Sequence, residues 1–284
     1  TGRGLDPERL EALTALPGPL IRAVVHKLDQ IALQPRAISR YFAISRVVAE
    51  RKDYFPPGVP VEVVPHPSNL DGLHEGPAEF VFTASRLDAP KRIDLLIRAY
   101  RRCRTDVPLW IAGDGPQAGP LHALAGDDAR IRFLGRLTDE ELVDHYSRAA
   151  LVPFVPELED MGLITLEAMA SGKAVLSVTD AGGVTEFVQD GVNGRIVAPD
   201  ERALARALDE MLSDRAALTA MGEAARQTAA AVTWDRTAQA LLTAAAQGAG
   251  ANPPAAARPA SPAGPAAWPH TTDLSAPPPP NGHG

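Results

Sequence analysis

A single cysteine, Cys103, is all that the 284 residues contain, so an internal disulfide is excluded. Its arginine-rich surroundings offer no second soft ligand for a cysteine metal site, and it reads as a helix residue without special chemistry. Positive charge is also short: Lys and Arg number 28 against 35 Asp and Glu, for a formal net charge of −7. That leaves no cationic stripe to hold a phosphate backbone and excludes nucleic acid as an expected partner. No apolar run approaches the roughly 18–20 residues that span a bilayer, and the start of the sequence shows no basic-then-apolar leader. The expectation is a cytoplasmic protein. His66, His74, His122 and His145 lack metal-ligand spacing and read as surface or hydrogen-bonded histidines. Trp110 and Trp234 are expected in the core, one in a central strand and the other at a helix start. What is present, 45% hydrophobic and 22% charged residues, supports a core of ordinary size in one or two domains.

The composition changes at Gly248. From there to Gly284 the chain is Pro, Ala, Gly and Ser with almost no large apolar residue, too little to offset its ordering entropy. This predicts a disordered, partly polyproline-II tail, stiffest at Pro277–Pro280. Between Phe80 and Val197 short apolar runs alternate with Gly- or Pro-bearing turns and amphipathic stretches, the pattern of a repeated βα unit. The spacing predicts strands from Phe80, Pro108, Arg130, Leu151, Ala174 and Arg195. It predicts helices from near Lys91, Gln117, Thr138, Gly162, Val184 and Glu201. Helices at Arg202–Ser213, Ala216–Ala231 and Thr233–Ala246 would then cover the sheet. Upstream, Pro7–Ala15 and Leu20–Leu33 read as helices, and Ala37–Ser45 and Val61–Val64 as strands, too short a segment to close a second domain. The fold class is therefore α/β, a doubly wound parallel sheet whose ligands sit outside the carboxyl ends of the strands.

Three turns at those ends carry chemistry. In S-R-L-D-A-P-K-R, Arg86 and Lys91 place two cations near one strand end, enough to neutralise a pyrophosphate; Asp88 and Asp94 dilute that signal, and solvated surface charge explains the same letters. In G-D-G-P, from Gly113, the glycines admit a ligand close to the backbone or simply make a strand-to-helix turn. The third turn, P-E-L-E-D-M-G-L-I-T-L-E-A-M-A-S-G, is the most informative. Gly162 stands where a loop enters a helix, so the amides of Gly162, Leu163 and Ile164 are expected to face a phosphate. Glu159 precedes that entrance and Glu167 lies one and a half turns inside it. A carboxylate accepts bidentate hydrogen bonds from vicinal hydroxyls, so the pair fits a sugar at one end and a nucleoside at the other. Taken singly, Glu159 also fits a helix N-terminal charge and Glu167 an exposed carboxylate.

R-x4-K, G-D-G-P, F-L-G, E-D-M-G-L-I-T-L-E-A-M-A-S-G and D-A-G-G-V-T-E-F-V-Q-D-G-V-N-G resemble, from about Phe80 to Trp234, the C-terminal half of group 1 (family 4) retaining glycosyltransferases of the GT-B fold. Glu159 and Glu167, eight apart, are the most specific part of the likeness. The resemblance implies a Rossmann-like domain holding a nucleotide diphosphate sugar as donor, with no other cofactor and no metal; no Asp-x-Asp motif is apparent. It implies that Arg86 and Lys91 hold the diphosphate, that Glu159 faces the donor sugar and that Glu167 takes the ribose. Gly162, Leu163, Ile164 and Gly113 join the donor site, and Arg136 and Leu137 lie beside the base. Transfer would go, with retention, to a glycan, lipid or small-molecule acceptor, with peripheral membrane association among the partners it brings. A donor-binding module without catalysis and a GT-B epimerase are the alternatives.

Two departures stand out. Arg92 occupies a position where the family commonly has glycine, which either holds the backbone off the phosphate or adds a third cation. The N-terminal acceptor domain is represented only by Pro7–Ser45, so a separate N-terminal half is an expected partner. His26 does not match that domain's histidine motif. The resulting division is a remnant and linker at 1–58, the donor domain at 59–247 and the tail at 248–284.

Overall fold

The structure, a computed structural model, describes residues 18–35, 38–52 and 54–248. The helix expected at Pro7–Ala15 and the tail beyond Gly248 lie outside them. The front segment contains helix α1 (Gly18–Ala32), strand β1 (Tyr41–Ala43), helix α2 (Arg46–Ala49) and strand β2 (Val61–Val63). β1 and β2 pair in parallel as a two-stranded sheet of their own. β2 thus lies beyond position 59 in sequence yet pairs with the front segment.

Six further strands follow: β3 (Phe80–Ala84), β4 (Leu109–Ala112), β5 (Ile131–Gly135), β6 (Ala149–Pro153), β7 (Val175–Val178) and β8 (Gly194–Val197). All are parallel, in the order β5-β4-β3-β6-β7-β8. β3, β6 and β7 are buried at every residue, which is why they read as continuous apolar runs rather than alternating ones. Helices α3 (Ile93–Tyr100), α4 (Ala118–Ala125), α5 (Asp139–Arg148), α6 (Leu163–Ala170), α7 (Glu201–Ser213) and α8 (Arg215–Ala230) supply the covering layers. The start of α5 is fixed by a capping box, with Glu141 N–H donating to the Thr138 hydroxyl and Thr138 N–H to the Glu141 carboxylate. The strand order reverses between β3 and β6, and a doubly wound sheet opens its ligand crevice outside the carboxyl ends at that point.

Several expectations need correction. The helix expected at Val184 is a 3-10 turn, Gly183–Glu186. The helix expected from Lys91 starts at Ile93, after a 3-10 turn at Ala89–Lys91, because Arg92 takes a left-handed conformation that breaks the run. Over its described part, 38–45, the strand read at Ala37–Ser45 is limited to Tyr41–Ala43; the Ser45 hydroxyl accepts from Val48 N–H at 3.1 Å and opens α2 instead. The strand read from Leu151 begins at Ala149 and stops at Pro153. The last helix, α9 (Trp234–Gly248), reaches the linker after β2: the Thr237 hydroxyl donates to Pro65 O at 2.9 Å, and Trp234 stacks on His66 at 5.3 Å. Trp234 is half exposed and not a core residue, whereas Trp110 is partly buried and stacked on Phe80. Cys103 lies just past the end of α3, buried against the carbonyls of Ala99 and Ala205.

Candidate functional site

The turns after β3, β4 and β5 are laced together by backbone hydrogen bonds. Ser85 N–H donates to Ala112 O at 3.1 Å, Leu87 N–H to Asp114 O at 3.0 Å, Gln117 N–H to Leu87 O at 2.9 Å and Gly113 N–H to Gly135 O at 2.7 Å. Gly113 has φ +120°, and a Cβ there would fall 1.8 Å from Ser85 O; at Gly115 it would fall 2.4 Å from Leu87 O. The glycines of G-D-G-P therefore admit the neighbouring backbone, which explains their presence without a ligand.

Above these turns, at the switch point, lies a pocket of about 600 Å3. Arg86 from the β3 turn, Gly113 from the β4 turn, Arg136 and Leu137 from the β5 turn, and Ile164 and Glu167 from α6 all line it. Six of the ten sequence-derived site residues thus converge from four segments. Glu167 is held on both oxygens: Oε1 accepts from Ser68 Oγ at 2.6 Å and Oε2 from Tyr146 OH at 2.9 Å. A carboxylate offers about four lone-pair sites, so two remain for a ligand. Burial, reinforced by the charge of Glu167, pushes the Tyr146 phenol well above its ordinary range, so it stays a donor. Sequence reading missed both orienting groups. Ser68 lies on a linker that forms no element, and Tyr146 occupies an apolar position of α5 that reads as core.

The remaining residues lie beside this pocket and do not line it. Lys91 and Glu159 form a direct ion pair, each side chain about one-fifth exposed. The Glu159 loop rests on the D-A-G-G turn: Glu159 N–H donates to Ala181 O at 3.0 Å and Gly183 N–H to Glu159 O at 2.8 Å. Gly182 permits this contact, since a Cβ there would fall 2.4 Å from Glu159 O. Gly162 is left-handed, φ +82°, and caps α6. Thr165 N–H turns back to Gly162 O at 2.9 Å, and the amides of Leu163 and Ile164 precede it at the helix mouth. The Leu163 side chain itself is exposed.

Arg92 does not act as a third free cation. Its guanidinium forms two 2.9 Å hydrogen bonds to Asp180 and a 3.6 Å ion pair with Glu157, and the Asp180 bonds raise its pKa. Its backbone sits at φ 50°, ψ 37°, a conformation that explains why glycine suits this position. Arg86 is the open cation of the pair, its side chain 72% exposed with Asp88 3.7 Å away.

The front segment touches this region at two points. The Glu186 carboxylate accepts from the N–H groups of Arg46, at 2.8 Å, and Val47, at 3.4 Å, capping α2, and Arg51 pairs with Asp160, the residue after Glu159. No group of three or more His, Cys, Asp or Glu placed to hold a metal ion occurs among the described residues, and no helix among them is long and apolar enough to cross a membrane.

Known proteins share both the pattern and the fold. The family profile described as "Glycosyl transferases group 1" matches residues 71–228. D-inositol 3-phosphate glycosyltransferase of Nocardia farcinica is 41% identical over 43% of this chain and 27% of its own length. GDP-mannose-dependent alpha-(1-6)-phosphatidylinositol monomannoside mannosyltransferase of Mycobacterium tuberculosis is 30% identical over 74% of this chain and 60% of its own. The chain spans less than two-thirds of either relative. Among solved structures, Anabaena HepE in complex with UDP and glucose superposes with a TM-score of 0.67 at 22% identity, covering 78% of this chain and 67% of that one. Sucrose-phosphate synthase from Thermosynechococcus elongatus gives a TM-score of 0.66 at 24% identity, covering 79% and 61%. With the profile covering more than half of the 284 residues, and with the parallel sheet and the motif-bearing turns gathered at its switch point, the chain belongs to the group 1 glycosyl transferases.

Proposed function

We propose that the chain binds a nucleoside diphosphate sugar across the carboxyl ends of β3 to β6 and serves as the donor half of a retaining, metal-independent glycosyl transfer to a glycan, lipid or small-molecule acceptor. The observation that carries this reading is the pocket lined by Arg86, by Ile164 in the first turn of α6 and by a doubly anchored Glu167. Glu167, with two lone-pair sites left over, takes the vicinal hydroxyls of the ribose. Arg136 and Leu137 flank the base. The diphosphate lies between Arg86 and the amides at the start of α6, and reaches Lys91 by displacing Glu159 from its ion pair. That exchange frees the Glu159 carboxylate for the sugar hydroxyls as the ammonium engages phosphate.

In the transfer step the bond from the anomeric carbon to the diphosphate oxygen breaks and a bond to the acceptor oxygen forms on the same face. The acceptor proton passes to the departing diphosphate. Arg86, Lys91 and the helix mouth stabilise the charge that develops there, the role a divalent ion fills elsewhere. The names of similar proteins fit a donor of this class: one relative is GDP-mannose-dependent and one structural neighbour was solved with UDP and glucose. The partners of the reaction are thus the nucleotide sugar and its acceptor, and the setting we propose is cytoplasmic.

The test incubates the chain, alone and with a supplied N-terminal half, with UDP- and GDP-sugars and acceptors while nucleotide release and the anomeric product are followed. Transfer with retention, unchanged by chelator, supports the reading. Nucleotide binding without transfer under every condition reduces the chain to a binding module, and conversion of the sugar without an acceptor makes it an epimerase.

A further inference from the structure

At the opposite end of the sheet, about 16 Å away by the length of a five-residue strand, a second cavity of about 110 Å3 opens. Ala149 at the start of β6, Gly76 of the linker, Gly172 and Lys173 before β7, and Arg215 on α8 line it. Lys173 is only 5% exposed, and its ammonium donates to Gly76 O at 3.0 Å. No ion pair is made by Lys173 among the described residues. An ammonium carries three donors, and a buried one without counter-charge is costly to keep. Burial lowers its pKa, opposed by the more distant charge of Glu75, an exposed residue that also lines the cavity. Arg215, an exposed residue at the rim, also makes no ion pair among the described residues. The wall cannot easily close over the gap, because α8 already presses on the backbone of the turn: a Cβ at Gly222 would fall 2.2 Å from Gly172 O.

We propose that this cavity binds a small phosphate-type oxyanion, either inorganic phosphate or the terminal phosphate of a monoester, between Lys173 and Arg215. The two cations exceed Glu75 by one positive charge. With about 30 Å3 per water in the liquid, the space holds three to four waters, the scale of one tetrahedral oxyanion. An anion here gives the Lys173 ammonium a direct ionic partner beyond the more distant charge of Glu75 and recruits Arg215 from solvent. The proposal is independent of the donor reading, since it uses none of the same residues.

The experiment titrates the full chain carrying Arg86→Ala, which weakens anion binding at the far end of the sheet, with inorganic phosphate and separately with glycerol 3-phosphate, at constant ionic strength set by chloride. Calorimetry reports affinity, and mass spectrometry after treatment with an amine-reactive reagent reports the accessibility of Lys173. Arg215→Ala, at an exposed position, and Lys173→Met, which keeps the apolar stem, are each expected to weaken binding about tenfold or more, and the ligand is expected to protect Lys173 from labelling. Tighter binding of phosphate identifies the free ion as the ligand, and tighter binding of glycerol 3-phosphate identifies a monoester. Binding unaffected by Arg215→Ala together with unprotected Lys173, or no binding of either ligand, overturns the proposal, whether or not Lys173→Met folds.

Discussion

Helices α1 and α3 carry the same apolar periodicity and meet opposite fates. α3 buries Ile93, Leu96, Ile97, Ala99 and Tyr100 against the sheet and its neighbours. None of the residues of α1 is buried; Leu20 and Leu28 are 62% and 59% exposed. The strands repeat the contrast, with three-residue β1 and β2 in a sheet of two and a five-residue, wholly buried β3 inside a sheet of six. Periodicity names a helix; only a covering surface turns its stripe into stability.

The comparison is broken most severely by core truncation. Phe82→Ala, at a fully buried position of β3, is expected to cost about 3–5 kcal/mol, whereas Leu28→Ser should change stability by no more than about 0.5 kcal/mol, both read from denaturant midpoints. Equal losses would show that α1 is packed after all. Within the site, Glu167→Ala is expected to weaken nucleoside diphosphate binding by about 10- to 100-fold, the value of about 1.5–3 kcal/mol for hydrogen bonds to a charged group. Ser68→Ala, which leaves one of the two anchors, should cost less in the same calorimetric assay. Lys173 sharpens the contrast through pH. Its folded pKa lies below the ordinary lysine value, so between the two the unfolded chain binds more protons and stability rises as pH rises through that window. Denaturant melts from neutral pH to about 10.4, the ordinary lysine pKa, should show this rise, and Lys173→Met should flatten it. The smallest effect concerns Cys103, whose thiol is pushed up to about 12 by burial. It should resist thiol reagents at neutral pH until the domain unfolds.

The sequence revealed most where one residue answers to one local rule. Apolar runs placed every strand of the large sheet, and the helix read from near Thr138 starts one residue later, at Asp139. The left-handed Arg92 was signalled only as an odd residue in a glycine position, because side-chain chemistry does not report φ. Groups that act across the chain were invisible: Ser68 reaches Glu167 over 99 positions, and Glu186 caps a helix 140 positions away. The tight glycines were legible as turns, but only the packed backbone shows that Gly113 makes room for Ser85.

The most direct test of the proposed donor site compares a nucleoside diphosphate with its parent nucleoside by calorimetry, on the unaltered chain, Arg86→Ala and Glu167→Ala. Arg86→Ala should weaken the diphosphate about tenfold or more while sparing the nucleoside, and Glu167→Ala should weaken both. Diphosphate affinity unmoved by either substitution would contradict the account.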